Sequence, residues 1–163
     1  MIPGQGKLDP GGDESSKVLR YRRCMAYIHE KPILISEAHL DSFGHLNHAR
    51  YFELLEQARW DLITERNFGI DVIRRTKTGP VILEVTMKYM RELGPREPVV
   101  IRSELLSYEG KVGSFRQQIV KQDGAIACDA TFSFGLFDLE RRRLIEPTPA
   151  WRYAIGVDTT PPG

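Results

Sequence analysis

The chain has 163 residues, with 23 lysines and arginines against 22 aspartates and glutamates, a formal net charge of +1. That length suits one domain able to bury its own core. The near-balance of charge argues against a general nucleic-acid binder, which carries a strong basic excess.

No apolar run approaches the ~20 residues that span a bilayer. The opening residues, MIPGQGKLDPGGDESSK, lack the apolar segment of a secretory signal. The two cysteines, Cys24 and Cys128, lie far apart and outside any CxxC pattern. A reduced, cytoplasmic chain without disulfides is therefore expected.

In chain order, residues 1–18 are rich in Gly, Pro, Asp and Ser and read as a disordered tail. YRRCMAYIHEKPILIS holds β-branched and aromatic residues and supplies a first strand, with Pro32 limiting its start or placing it at an edge. A polar turn, HLDSFGHLN, follows. From Asn47 the period changes: Tyr51, Leu55, Ala58 and Leu62 fall on one face of a helix, with Phe52, Leu54 and Ile63 widening the stripe. Asn47 is a suitable N-cap, and Asn67 with Gly69 supplies the stop.

Residues 70–78 suit a short second helix ending at Gly79-Pro80. Beyond Pro80 the pattern alternates. Val81, Leu83, Val85, Met87 and Tyr89 form one stripe, and Ile126, Cys128, Ala130, Phe132 and Phe134 form another. The breaks LGPRE, YEGKVG and QDGA carry hairpin chemistry. Four prolines after Glu146 mark residues 147–163 as a C-terminal tail, leaving 19–146 as the domain. One long apolar helix covering a four- or five-stranded antiparallel sheet is an α+β layout.

The polar turn carries the chemistry. An Asp-x-x-Gly-His-x-Asn turn running directly into ARYFELLEQARWD resembles the 4-hydroxybenzoyl-CoA thioesterase family. The likeness is nearest to the bacterial acyl-CoA thioesterases, including the long-chain and Tol–Pal-associated branches. It covers roughly residues 30–140 and rests on Asp41, Gly44, His45, Asn47, Tyr51, Glu56, Ala58 and Arg59. The resemblance implies a hot-dog fold, an antiparallel sheet wrapped around one long central helix. It further implies a homodimer, or a tetramer as a dimer of dimers, with active sites at the dimer interface.

By the same resemblance Asp41 is the catalytic carboxylate, attacking the thioester carbonyl or activating water. His48 falls where the family places its backbone oxyanion donor, and its imidazole matches one implicated in catalysis in the Tol–Pal-associated members. Independently, a first-turn N–H has no intrahelical partner and lies at the positive end of the helix dipole. Lys111 and Ser114 fall where family members contact coenzyme A from the neighbouring subunit. Glu84, mid-strand among apolar residues, falls near the acyl site of the family. Tyr51 lies on the apolar stripe with its hydroxyl reaching the turn, on the substrate side.

Simpler readings stand beside these. Asp41 and Gly44 are common turn residues, Asn47 is a cap, and Glu56 and Arg59 are i, i+3 neighbours able to pair. His39, Asp41, His45 and His48 around a metal is a rival, but their spacing does not suit zinc and no downstream ligand set is evident.

The expected activity is hydrolysis of a fatty or aromatic acyl-CoA to the carboxylic acid and CoA, with no metal and no cofactor. The alternatives are hydrolysis of acyl groups from an acyl-carrier protein and a non-catalytic acyl-CoA-binding module.

Overall fold

A computed structural model of the chain describes residues 28–162. The expected tail, Cys24 and the approach to the first strand lie outside the described residues. The elements are β1 (Ile28–Leu34), a 3-10 turn (Glu37–His39), α1 (His48–Glu65), α2 (Ile70–Thr76), β2 (Thr78–Tyr89), β3 (Pro98–Glu109), β4 (Val112–Lys121), β5 (Ile126–Asp138), β6 (Arg143–Ile145) and α3 (Pro149–Ala154).

Helix α1 starts and stops where its sequence dictates. Asn47 holds extended backbone and its side-chain oxygen accepts from Ala49 N–H at 2.9 Å. After Glu65 the chain leaves the helix through Asn67, in the left-handed region at φ 62°. Tyr51, Leu54, Leu55, Ala58, Leu62 and Ile63 form its buried face. Among the described residues no helix is long and apolar enough to cross a membrane.

The sheet has the order β1-β3-β4-β5-β2, all antiparallel, with β6 added beside the end of β5. β1 and β2 are its edges, and Pro32 sits on the edge strand β1. Alternate residues of β3, β4 and β5 bury against α1, among them Ile101, Leu105, Phe115, Ile119, Phe132 and Phe134. This is the hot-dog arrangement, a sheet around one long helix.

A polar clamp holds the two layers together. Gln117, on β4, is fully buried. Its Nε2 donates to the Leu55 carbonyl at 3.1 Å and to Ser103 Oγ at 2.8 Å, while its Oε1 accepts from Arg59 Nη1 at 2.6 Å. One amide thus ties helix backbone, helix side chain and neighbouring strand. Every hydrogen-bonding atom of that side chain is engaged, as a buried amide requires.

Two features depart from the sequence reading. β2 does not alternate through its whole length, because its register with β5 shifts between Ile82 and Glu84. Ile82 pairs with Phe134, and Val85, Met87 and Tyr89 pair with Phe132, Ala130 and Cys128, so all four face the helix side. Leu83 is the inserted residue of the bulge, and the single stripe from Val81 to Tyr89 is broken there.

The C-terminal segment, expected as a tail, contains α3. Thr148 caps it, Pro149 occupies its first turn, and Trp151 is buried against Phe68 with ring centroids 5.0 Å apart. Proline at the first helical position is a helix start, not a breaker.

Gln117→Met keeps the volume but removes both donors and the acceptor. It should lower unfolding stability by about 2–3 kcal/mol, measured by urea denaturation. A loss below about 0.5 kcal/mol would show that the clamp does not hold the helix to the sheet.

Candidate active site

The turn before α1 is closed by its own backbone. Asp41 N–H donates to the His45 carbonyl at 2.8 Å and Gly44 N–H to the Asp41 carbonyl at 3.0 Å. Gly44 has φ +80°, and a Cβ there would meet nothing within 4 Å. The backbone conformation, not close packing, is what calls for glycine. Leu46 N–H donates to the Leu93 carbonyl, which pins the turn to the β2–β3 connection.

Asp41 is both a turn residue and an open carboxylate. Its Oδ1 accepts from Phe43 N–H at 2.8 Å and from His45 N–H at 3.4 Å. Oδ2 has no hydrogen-bond partner among the described residues and is not sealed in the interior. One oxygen is tethered and the other is presented.

The cap at Asn47 leaves the other half of the chemistry exposed. The side chain of Asn47 takes the Ala49 N–H and its carbonyl takes the Arg50 N–H. The His48 N–H has no acceptor among the described residues and lies at the positive end of an 18-residue helix. Tyr89 hydroxyl donates to the His48 carbonyl at 3.2 Å, which ties this helix start to the end of β2.

These groups line one open cleft of about 370 Å³, formed by Asp41, His45, Leu46, His48, Tyr51, Tyr89, Met90, Arg91 and Glu92. Tyr51 packs edge-on against Tyr89, with ring centroids 5.0 Å apart. Burial, with lesser help from neighbouring negative groups, pushes the Tyr51 phenol up to about 12, so it remains a neutral donor at neutral pH. Its hydroxyl makes no hydrogen bond to the turn among the described residues; it shares the cleft with Asp41 instead.

The remaining expected residues lie elsewhere in this protomer. Glu84 pairs with Ser133, and Ser133 with Ser114. Ser133 stands between the inward-facing Phe132 and Phe134, so Glu84 and Ser114 face away from α1. Glu84 alternates with the inward-facing Val85 and so points outward. Lys111 sits in the β3–β4 turn, beside Gly135 and therefore at the opposite end of β2 from Tyr89.

Three other side chains complete the survey. His45 Nε2 approaches Glu92 Oε2 at 3.5 Å, a contact not anticipated from the sequence because it needs the β2–β3 connection to fold over the turn. Cys128 is buried, and burial drives its thiol up to about 12, which removes it as a thiolate nucleophile. Among the described residues no group of three or more His, Cys, Asp or Glu side chains is arranged to hold a metal ion.

An ionisable carboxylate, an open helix-start N–H and a neutral phenol around one cleft suit addition to a carbonyl. Comparison with known proteins agrees. The chain is 31% identical over 108 residues to the long-chain acyl-CoA thioesterase FadM of Escherichia coli K12, covering 66% of this chain and 81% of that protein.

The solved structure of YbaW from Escherichia coli superposes with a TM-score of 0.69 at 27% identity, covering 78% of this chain and 96% of the other. SAV2348 from Staphylococcus aureus, solved in complex with CoA, superposes with a TM-score of 0.75 at 14% identity, over 79% and 82% of the two chains. The second likeness speaks to the fold. The family profile for the Thioesterase-like superfamily matches residues 36–155, and the chain belongs to that superfamily.

Proposed function

We propose that the chain hydrolyses acyl-CoA thioesters, giving a free carboxylic acid and CoA, with Asp41 and the His48 N–H as its reacting groups. The observation that carries this reading is the pairing of a half-tethered carboxylate with an uncapped helix-start N–H on one cleft. The activity of the FadM relative supports acyl-CoA as the substrate class.

The step follows from the geometry. The thioester carbonyl oxygen takes the His48 N–H, which stabilises the negative charge that develops on it. Asp41 Oδ2 either adds to the carbonyl carbon or removes a proton from the water that adds. In both routes the C–S bond breaks and CoA leaves as thiolate. In the first route water then cleaves the acyl-aspartyl anhydride; in the second the acid forms directly. Tethering Oδ1 fixes the carboxylate in its working orientation. Tyr51 supplies a neutral donor to the substrate side. A cytoplasmic location suits a CoA ester substrate.

The second subunit enters through β2. This 12-residue edge strand exposes Ile82, Leu83, Val85 and Tyr89, with relative exposures of 37–49%. Phe43, in the turn that carries Asp41, is 86% exposed. A long, apolar, unpaired edge is a template for another strand. Two β2 strands paired antiparallel about a two-fold axis lay the start of one beside Tyr89 of the other.

That places the partner's Lys111 three strand spacings away, roughly 14 Å across the joined sheet. From there a lysine can meet the phosphates of CoA whose thioester lies at Asp41. Ser114, on the same strand, belongs to this CoA-facing group in our reading, and Glu84 to the joined edge. The assembly is a homodimer, or a dimer of dimers.

Asp41→Asn preserves the turn acceptor Oδ1 and removes the charge. Turnover should fall ~10²–10⁴-fold with substrate binding retained, followed by thiol release from acyl-CoA esters. Wild-type turnover in this variant would remove Asp41 from the chemistry.

His48→Ala and His48→Pro separate backbone from side chain. Asn47 already has ψ 138°, so a following proline is accommodated and the fold should survive. The proline variant should lose ~10²–10³-fold in kcat, and the alanine variant less. Equal rates in the two folded variants would refute the backbone donor.

Light scattering at micromolar concentration should return a dimer or tetramer. A stable monomer with full activity would contradict a site completed by the partner.

A further inference from the structure

Away from the Asp41 cleft, the second half of α1 and the first half of β2 enclose a cavity of about 100 Å³. Its wall is largely apolar, with Trp60, Phe115, Phe132, Phe134 and Trp151 as its aromatic members. Two charged residues share it, Glu56 and Arg59, one helical turn apart.

Those two do not form the expected ion pair. Arg59 Nη1 donates to Gln117 Oε1 at 2.6 Å, and the guanidinium carbon lies 4.2 Å from the centroid of the Phe132 ring. Among the described residues no carboxylate lies within 4 Å of it, and its other N–H groups have no acceptor. A guanidinium carries five donors, so most of its hydrogen-bonding capacity is left unused by the protein, on a part-buried side chain that lines the cavity. Burial brings its pKa down to about 10, and it stays charged at neutral pH.

We propose that this cavity receives the distal part of the acyl group and that Arg59 selects chains carrying a hydroxyl there. The inference rests on the acyl-CoA reading above. A purely alkyl occupant would exclude water from the guanidinium and offer its donors nothing, which is costly for a buried charge. A carboxylate would answer Arg59 but meet Glu56 on the same wall. A hydroxyl accepts from Arg59 and donates to Glu56, so it satisfies both. Arg59 is thus a specificity residue that touches substrate far from the reacting carbon.

The helix sets the distance. Positions 48 and 59 are ~16 Å apart along the axis, which an extended chain covers in roughly a dozen bonds. The matching probes are 12-hydroxydodecanoyl-CoA and dodecanoyl-CoA.

The two tryptophans of the chain, Trp60 and Trp151, both line the cavity, so their emission reports occupancy independently of turnover. The wild type should favour the hydroxylated ester by ~10-fold or more, both in kcat/KM and in affinity from tryptophan emission. Arg59→Met, which keeps an unbranched stem, should abolish or reverse that ratio, and Arg59→Lys should restore part of it.

A wild-type ratio of one or less would overturn the proposal. So would an Arg59→Met variant in which both esters weaken equally, the mark of a structural role. If Arg59→Met does not fold, the wild-type ratio and Arg59→Lys still decide. Hydrolysis of both esters with no change in tryptophan emission would refute the cavity assignment and leave the thioesterase reading standing. Emission that separates the probes without hydrolysis of either would do the reverse.

Discussion

The buried amide of Gln117 sets where α1 lies on the sheet. Its three hydrogen bonds reach the helix backbone at Leu55, the helix side chain at Arg59 and the adjacent strand at Ser103. Apolar contacts between a helix and a sheet are tolerant of sliding, whereas a buried amide with fixed partners is not. With the middle of the helix held, its two ends are placed. The start comes to the end of β2, where Tyr89 hydroxyl donates to the His48 carbonyl. Between the second half and the start of β2 lies the apolar cavity that holds Arg59 and Glu56 on its wall.

The candidate active-site cleft follows from that placement and from an incomplete cap. A helix start has several unpaired N–H groups, and capping ordinarily hides one or two. Here Asn47 engages Ala49 and Arg50 but leaves His48. Asp41 shares a cleft with it because the turn is short and is closed both by its own backbone and by the Asp41 carboxylate. The same residue therefore builds the turn and lines the cleft, which is why a structural and a chemical role cannot be separated by position alone.

Much of this was legible in the residues. Asn47, the apolar spacing through Leu62 and the Asn67 stop predict α1, and Asp123-Gly124 marks the β4–β5 turn. The combination of Asp41, Gly44, His45 and Asn47 points to the family and to the cleft. What escaped depends on pairing rather than on pattern. The bulge at Leu83 reverses the facing of the residues before it, so Ile82 rather than Val81 faces α1. Arg59 and Glu56 have the spacing of an ion pair, but a β4 glutamine competes for the guanidinium. Residues 147–163 look like a breaker-rich tail until Thr148 and Pro149 are seen as a cap and first turn that carry Trp151 into the core.

The central claim is that one carbonyl is held between the Asp41 carboxylate and the start of α1. It is tested most directly by a crystal structure with a ketone analogue of an acyl-CoA, in which a methylene replaces the thioester sulfur and hydrolysis is blocked. The account predicts the ketone oxygen within about 3 Å of the His48 nitrogen. The carbonyl carbon should lie ~3–3.5 Å from Asp41 Oδ2 or from a water bound to it. A ketone bound with its oxygen away from His48 and its carbon out of reach of Asp41 would contradict the account.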